Sequence, residues 1–479
     1  MKFSSFIFLL IFSTTLAQAQ NLDFPKIDSV SQVIIEEKMI PGFSIAIMKG
    51  SDIVYEKAFG KADIALDVDA TTETKFRLVG PTNTMLAALV MQQVERGKIS
   101  LDQDVTSLLP DFPWQGKKVT LRQLLDTSSG LQDYHYLGDD YRMSIGTPKT
   151  VQDVTSLFAG KPFLHEPGEK KQWNVSGFHL AGIILEKVTG KSFDQLIQEE
   201  IKDKLQLQNF SYNLGRNIEK NLATPYNSSD NGFINPIFMD PSMFPYHAPI
   251  CSSAGDVARF FYALEEGKIV EPETLETMIK ITEKEQEIIE GGGGTVVIGY
   301  NGIYKNGDYM AKSNRGGLSM GFSSIAKVFP SLDIIIVALA NNLAVNGRQS
   351  ASFISDQITN IILDESLDKE KFIKKAEKKI VLNDLEVPSD IRKNIKGKYK
   401  LNPAINAGPT HQGWKRTVEV YEHNGELMAR FIGERPVKLY RHSEDAFRTE
   451  ITGNLNIYFD EEMLNVKVGD NVVQSGNKL

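Results

Sequence analysis

Seven histidines could act as bases or metal ligands: His135, His165, His179, His247, His411, His423 and His442. None falls at the His-x-x-x-His or His-Glu-x-x-His spacing that sets two imidazoles on one helical face, so the sequence implies no metal site. The single cysteine, Cys251, follows His247 by four residues and could be read as a thiol beside an imidazole. A lone cysteine in such a run is expected to be a small packed residue rather than a nucleophile. Thr82 carries a hydroxyl near the start of a helical pattern. Asp139 and Asp140 are adjacent and expected to be solvated, which gives no support to a carboxylate pair for glycoside hydrolysis. The run Gly291 to Gly294 lacks the Gly-Lys-Ser/Thr ending of a phosphate loop and reads as a surface turn. No cofactor is implied.

The elements that would position these groups follow from pattern and composition. The chain has 479 residues, 41% hydrophobic and 24% charged, enough for one large domain and a smaller one. A net charge of -8 provides no basic field for nucleic acid. Residues 1–19 combine Lys2, an apolar run from Phe6 to Phe12 and Ala17-Gln18-Ala19, an export signal too short to span a membrane. The expected product is periplasmic or extracellular, with no transmembrane segment and no disulfide. Residues 20–365 alternate strand-like runs, such as Phe43 to Ile47 and Ile334 to Leu339, with helical patterns, which predicts an α/β or α+β body. A charged linker or helix is expected over 366–389. From 390 to 479, short alternating runs with Asn-Gly and Gly-Asn turns predict a small antiparallel sheet or barrel.

Within the body, Leu86, Leu89, Val90 and Val94 recur at three- and four-residue spacings, with Pro81 at the start and Gly97 past the end. These predict an amphipathic helix over Pro81 to Arg96. Before it stands FRLVGPTNTM, and after it, in order, VTLRQLLDTSSGL, EPGEKKQWNVSGFHLAGIILEKVTGKSF, CSSAGDVARFFYALEEGK and NRGGLSMGFSS. Together these segments resemble the serine β-lactamase and penicillin-binding-protein family, in its class C-like branch of esterases, D-aminopeptidases and β-lactamase-related hydrolases. The resemblance covers about residues 25 to 365. It implies an α+β sandwich, a β-lactamase/transpeptidase-like body with an antiparallel sheet flanked by helices. The C-terminal part resembles the small β-barrel that trails some exported members.

The resemblance also says where catalytic groups should be. A Ser-x-x-Lys at the mouth of the first helix would place a hydroxyl and an amine on one helical face, so that the amine takes the proton as the serine attacks an acyl carbon. Gly80 and Asn83 hold those places. Glycine has no nucleophile, and a carboxamide is neutral and does not accept a proton near pH 7. The Tyr-x-Asn motif falls on Trp173-Asn174-Val175 when Gly177-Phe178 fixes the register. The His/Lys-Gly motif falls on Arg315-Gly316, and a guanidinium does not serve as a base. The accessory His-Thr-Ser-Gly stretch reads Thr127-Ser128-Ser129-Gly130.

No catalytic residue of the family's acyl-enzyme route is therefore expected to be intact. Gly80, Asn83, Trp173, Asn174, Arg315 and Gly316 are expected to line a cleft that binds a small peptide, a peptidoglycan-like ligand or a protein partner in the envelope. Arg315 would either hold a carboxylate or pair with Asp126 or Glu166. Two further readings stand beside this one. One is an enzyme with rebuilt chemistry that avoids an acyl-enzyme; the other is a structural envelope component whose β-rich tail makes the contacts. Oligomeric state is not legible.

Overall fold

The computed structural model describes residues 22–343 apart from 38, 138, 230, 231 and 319, then 350–363, and in the C-terminal part 385–401, 416–431, 437–441, 443, 446–449, 456–460, 463–468 and 471–479. The expected export signal lies outside the described residues, and so does the expected charged linker up to residue 384.

Helix α1 (Phe24–Glu36) leads into β1 (Gly42–Lys49), β2 (Asp52–Asp63) and the short β3 (Val68–Asp69). After β4 (Phe76–Arg77) comes α2 (Gly80–Glu95), then a helical region that includes α3 (Leu121–Leu125) and the helix Val175–Thr189. Next are β5 (Phe210–Tyr212), β6 (Tyr226–Ser229), β7 (Gly232–Ile234), β8 (Ile250–Ser252) and the helix Ala254–Glu265. The body closes with β9 (Gly294–Val297), β10 (Tyr300–Asn306), β11 (Tyr309–Leu318), β12 (Phe322–Phe329), β13 (Ile334–Ala340) and the helix Ala351–Ile362. Eight strands form one sheet in the order β3-β2-β1-β13-β12-β11-β10-β9, while β4, β8 and β5 form a separate small sheet.

The two apolar runs noted in the sequence are neighbours: β1 pairs antiparallel with β13 in the register Phe43 with Ala340 through Lys49 with Ile334. Both runs are apolar at nearly every position because both faces of the sheet are covered. Phe43, Ile45, Ile47, Ile336 and Ala338 face α1 and the helix Ala351–Ile362, whereas Ala46, Met48, Val337 and Leu339 face the main helical core. Alternation would appear only if one face were wet.

Helix α2 departs from expectation. Every residue from Gly80 to Gln93 is buried, so it is a central helix covered on all sides rather than an amphipathic one. Its polar residues misled the pattern because several have internal partners. Thr84 Oγ1 donates to the Gly299 carbonyl at 2.7 Å and Gln92 Nε2 to the Ile269 carbonyl at 2.9 Å. The helix ends where expected, at Gly97, whose φ of 66° suits the left-handed turn.

The C-terminal residues form a closed antiparallel barrel of eight strands, from Gly397–Leu401 to Asn471–Lys478, around Tyr399, Val418, Val420, Leu439, Phe447 and Leu464. Its strand Arg416–His423 turns into Glu426–Phe431 through Asn424 and Gly425, both at positive φ (51° and 81°), the two-residue turn that the Asn-Gly pair favours.

Candidate functional site

The first turn of α2 is the fixed point. Strand β4 pairs with β8, Phe76 with Ser252 and Arg77 with Cys251, and delivers the chain to Val79. The Val79 N–H donates to Ser324 Oγ on β12 at 3.1 Å. Strand β11 crosses the same point so closely that a Cβ on Gly316 would lie 2.5 Å from the Gly80 nitrogen. A glycine at 316 is thus a packing requirement. Gly80 itself begins a regular helix and is not among the residues at positive φ, so the backbone does not demand glycine there.

One turn into the helix, Asn83 is fully buried, and its Oδ1 accepts a hydrogen bond from His247 Nδ1 at 2.8 Å. Burial pushes His247 down to about 3, so its imidazole is neutral near pH 7 and no cation occupies the place that the family resemblance reserves for lysine. Asn83 Nδ2 has no partner and is buried, as is Thr82 Oγ1. Below α2, Asn314 Nδ2 on β11 donates to Thr84 Oγ1 at 2.6 Å and ties strand to helix.

His247 opens onto a buried aromatic group. Its ring lies 5.6 Å from that of His135, which also packs on Tyr141 (5.5 Å) and Phe244 (5.2 Å). Burial holds His135 well below the ordinary histidine range, and its Nε2 is buried without a partner. Asp133 accepts from the backbone N–H groups of His135 (2.9 Å) and Val175 (3.2 Å), and its burial outweighs those two bonds and raises it to about 7. Sequence reading passed over Asp133 and named His135 and His247 without pairing either with a motif residue. The contact that makes His247 relevant spans 164 positions, so neither spacing nor periodicity reports it.

The second motif region is built differently. Asn174 is the N-cap of the helix Val175–Thr189: its Oδ1 accepts from the Gly177 N–H at 2.9 Å and its Nδ2 donates to the Gln172 carbonyl at 3.1 Å. Both ends of the amide are spent on the fold. Trp173 is half-buried with its ring 5.7 Å from that of Phe178. Gly177 lies against α3, where a Cβ would come within 2.5 Å of the Leu124 carbonyl oxygen. Val175, at the motif's asparagine position, is buried.

Arg315 lies on β11 opposite Ile325, and its side chain is outside the described residues. Of the two acids considered as its partners, Glu166 pairs with Lys117 at 2.5 Å and Asp126 accepts from Ser128 Oγ at 2.6 Å. The structure thus brings Gly80 against Gly316 and Asn83 against His247, and commits Asn174 to a cap. Thr127 has a φ of 63°, unusual for a β-branched residue, and its Oγ1 is buried without a partner. Cys251 is fully buried in β8 and burial raises its thiol, so it is a packed residue and not a nucleophile. Among the described residues no group of three His, Cys, Asp or Glu side chains is placed to hold a metal ion, and no helix is long and apolar enough to cross a membrane. A surface depression lined by Gln198, Lys202, Asp203, Gln206, Leu207 and Gln208 shares no residue with this region.

Comparison with known proteins agrees with this architecture. The family model described as Beta-lactamase matches residues 27–356. Protein flp of Staphylococcus aureus (strain MRSA252) is 22% identical over 342 residues, 70% of this chain and 66% of the relative, so the match spans just under two thirds of that protein. Penicillin-binding protein 4* of Bacillus subtilis is 28% identical over 166 residues, 33% of this chain and 35% of its own. The octameric penicillin-binding protein homologue from Pyrococcus abyssi superposes with a TM-score of 0.62 at 21% identity, covering 95% of this chain and 100% of that one.

Proposed function

The chain belongs to the Beta-lactamase family, and from that premise we propose that it is an exported, degenerate member that binds a ligand in the family's cleft and forms no acyl-enzyme. The observation that supports this most directly is at the first turn of α2. Gly80 offers no hydroxyl, and Asn83 is held by a neutral His247, 2.8 Å away, where a base would be needed. Loss of the nucleophile in an enzyme of this type costs on the order of 10⁶ in rate. What remains at position 83 is a donor, since Nδ2 is buried and unpartnered. A ligand oxygen, from a carbonyl or a carboxylate, is the complementary group.

The ligand class that fits is a small peptide or peptidoglycan-like fragment, with a protein partner in the envelope as the larger variant. Gly316, packed on Gly80, brings the backbone of β11 to the same place, and Arg315 is the residue before it. A guanidinium there would hold a terminal carboxylate through paired hydrogen bonds, and Trp173 would supply an apolar wall. Calorimetric titration with short peptides and their C-terminal amides tests this, with Arg315→Met and Asn83→Ala as controls. Acids should bind at least about tenfold more tightly than amides, and each substitution should weaken binding. Equal binding of acid and amide, or no loss in either variant, contradicts the reading. Rebuilt chemistry is the second reading, because a histidine touches Asn83, and repeated turnover of an added peptide would favour it.

A further inference from the structure

We propose that the packed rings of His135 and His247 form an acid-sensitive latch, which releases the turn Tyr134–Tyr136 from the segment Phe244–Ile250 in mildly acidic conditions and exposes the first turn of α2. The bearing on ligand access rests on the binding reading above; the latch itself does not.

Three observations support the latch. First, the rings come from two separate segments, 5.6 Å apart between centroids, and His247 ties this group to α2 through Asn83. Secondly, among the described residues burial alone acts on His247, with no carboxylate charge beside it. Among the described residues, the ionisable groups around the pair are Asp133 and Tyr134 on the same turn and Tyr141 on the helix Asp139–Ser144. His179 and Tyr246 lie one layer further out, 5.4 Å apart. The Asp133 oxygens accept from the N–H groups of His135 and Val175, and one of them lies 3.9 Å from His135 Nδ1, so Asp133 is the acid that a charge on His135 would meet while His247 has none. Thirdly, His135 Nε2 and Asn83 Nδ2 are buried and unpartnered, so closing the latch leaves polar atoms that water would satisfy on opening.

The direction follows from linkage. Both rings are held neutral when closed, His247 at about 3 and His135 well below the ordinary range. An exposed histidine titrates near 6.5, so at pH 5.0 each freed ring favours the open form by about 30-fold, or roughly 10³ for both. Asp133 acts the other way. Its closed carboxyl, raised to about 7, keeps a proton at pH 5.0 that an exposed carboxyl would release. That opposes opening by about 100-fold if Asp133 is freed as well, and leaves a net gain of about tenfold or more.

Hydrogen–deuterium exchange of the full-length protein at pH 7.5 and 5.0, corrected for intrinsic exchange rates, tests the latch without any ligand. Peptides covering 131–137 and 244–251 should exchange at least about tenfold faster at pH 5.0, while peptides from β1 and β13 keep their protection. His247→Gln retains a donor for Asn83 but does not titrate, and His135→Phe suits a site walled by Tyr134, Tyr141 and Phe244. Each should reduce the acid response. If one variant does not fold, the other and the wild-type pattern still decide. An unchanged wild type at pH 5.0, an equal loss in β1 and β13, or a full acid response in the variants would overturn the proposal. None of these outcomes bears on whether peptides bind at neutral pH.

Discussion

Two helix starts in the body stand where the family resemblance places catalytic motifs, and they differ in how their polar side chains are used. At the helix Val175–Thr189, Asn174 caps the helix and uses both ends of its amide, at 2.9 and 3.1 Å. At α2, the residue before the helix is Val79, which has no side chain to cap with, while Thr82 Oγ1 and Asn83 Nδ2 are buried without partners. The first start spends its asparagine on a structural role. The second leaves hydrogen-bonding capacity unspent in the interior, at a cost of about 1–3 kcal/mol for each such group. Any ligand contact is therefore expected at position 83 rather than at position 174.

The largest effect that would break this contrast is pH dependence. If the α2 region is closed as described, its wall refuses protons that the unfolded chain accepts. His247 and His179 are lowered to about 3 and His135 well below its ordinary range, so each contributes stability above pH 6.5 that is lost as pH falls. Asp133, raised to about 7, contributes in the opposite sense, being stabilising at low pH and losing that contribution as pH rises through 7. Between pH 6 and 5 the balance is three protons against one, and urea unfolding should show stability about 2–3 kcal/mol lower at the acid end. A flat profile over that interval would mean these rings are not enclosed.

Comparable in size is the effect of the lysine that α2 lacks. Asn83→Lys would bury an ammonium against the neutral His247, a change expected to cost roughly 3 kcal/mol. Adding His247→Ala gives the longer side chain room and removes the confronting ring, so the pair should be at least about 1 kcal/mol less destabilising than the separate costs summed. Strict additivity in denaturant titrations would show that Asn83 and His247 are not one unit. Gly80→Ser with Asn83→Lys should likewise recover little esterase activity until His247 is also changed, and Trp173 still lacks a phenol.

Smaller still is the cap. Asn174→Ala should lower stability by about 1 kcal/mol and leave peptide affinity unchanged, whereas Asn83→Ala should weaken affinity. A loss of binding in the first variant would erase the distinction between the two helix starts. The smallest effect is expected at Thr127, which sits at a φ of 63° between them in sequence. Asparagine tolerates that conformation better than a β-branched residue, so Thr127→Asn should raise the melting stability by about 0.5 kcal/mol. A clear destabilisation would show that the threonine hydroxyl has a partner in solution.

The framework was legible because local rules govern it. The apolar runs of β1 and β13, the Pro81 start and Gly97 stop of α2, and the Asn424-Gly425 turn of the barrel all follow from periodicity or from φ preferences. The burial of α2 on every side was not, because Thr84 and Gln92 look like solvent-facing residues until their acceptors, Gly299 and Ile269, are brought in from far along the chain. The site divides in the same way. That Gly80 and Asn83 stand where the resemblance expects serine and lysine could be read from the sequence, while the partner of Asn83 could not, since His247 reaches it through the packing of β4, β8 and the segment before β8.

The central claim, that the first turn of α2 has lost covalent chemistry, is tested most directly by intact-protein mass spectrometry after incubation with excess penicillin and, separately, with a fluorophosphonate. Both reagents acylate or phosphorylate an activated hydroxyl. With Gly80 at the nucleophile position and Asn83 tied to a neutral histidine, the mass should remain that of the untreated protein. A stoichiometric adduct on any residue between 27 and 356 would contradict the account and place a live nucleophile in the body.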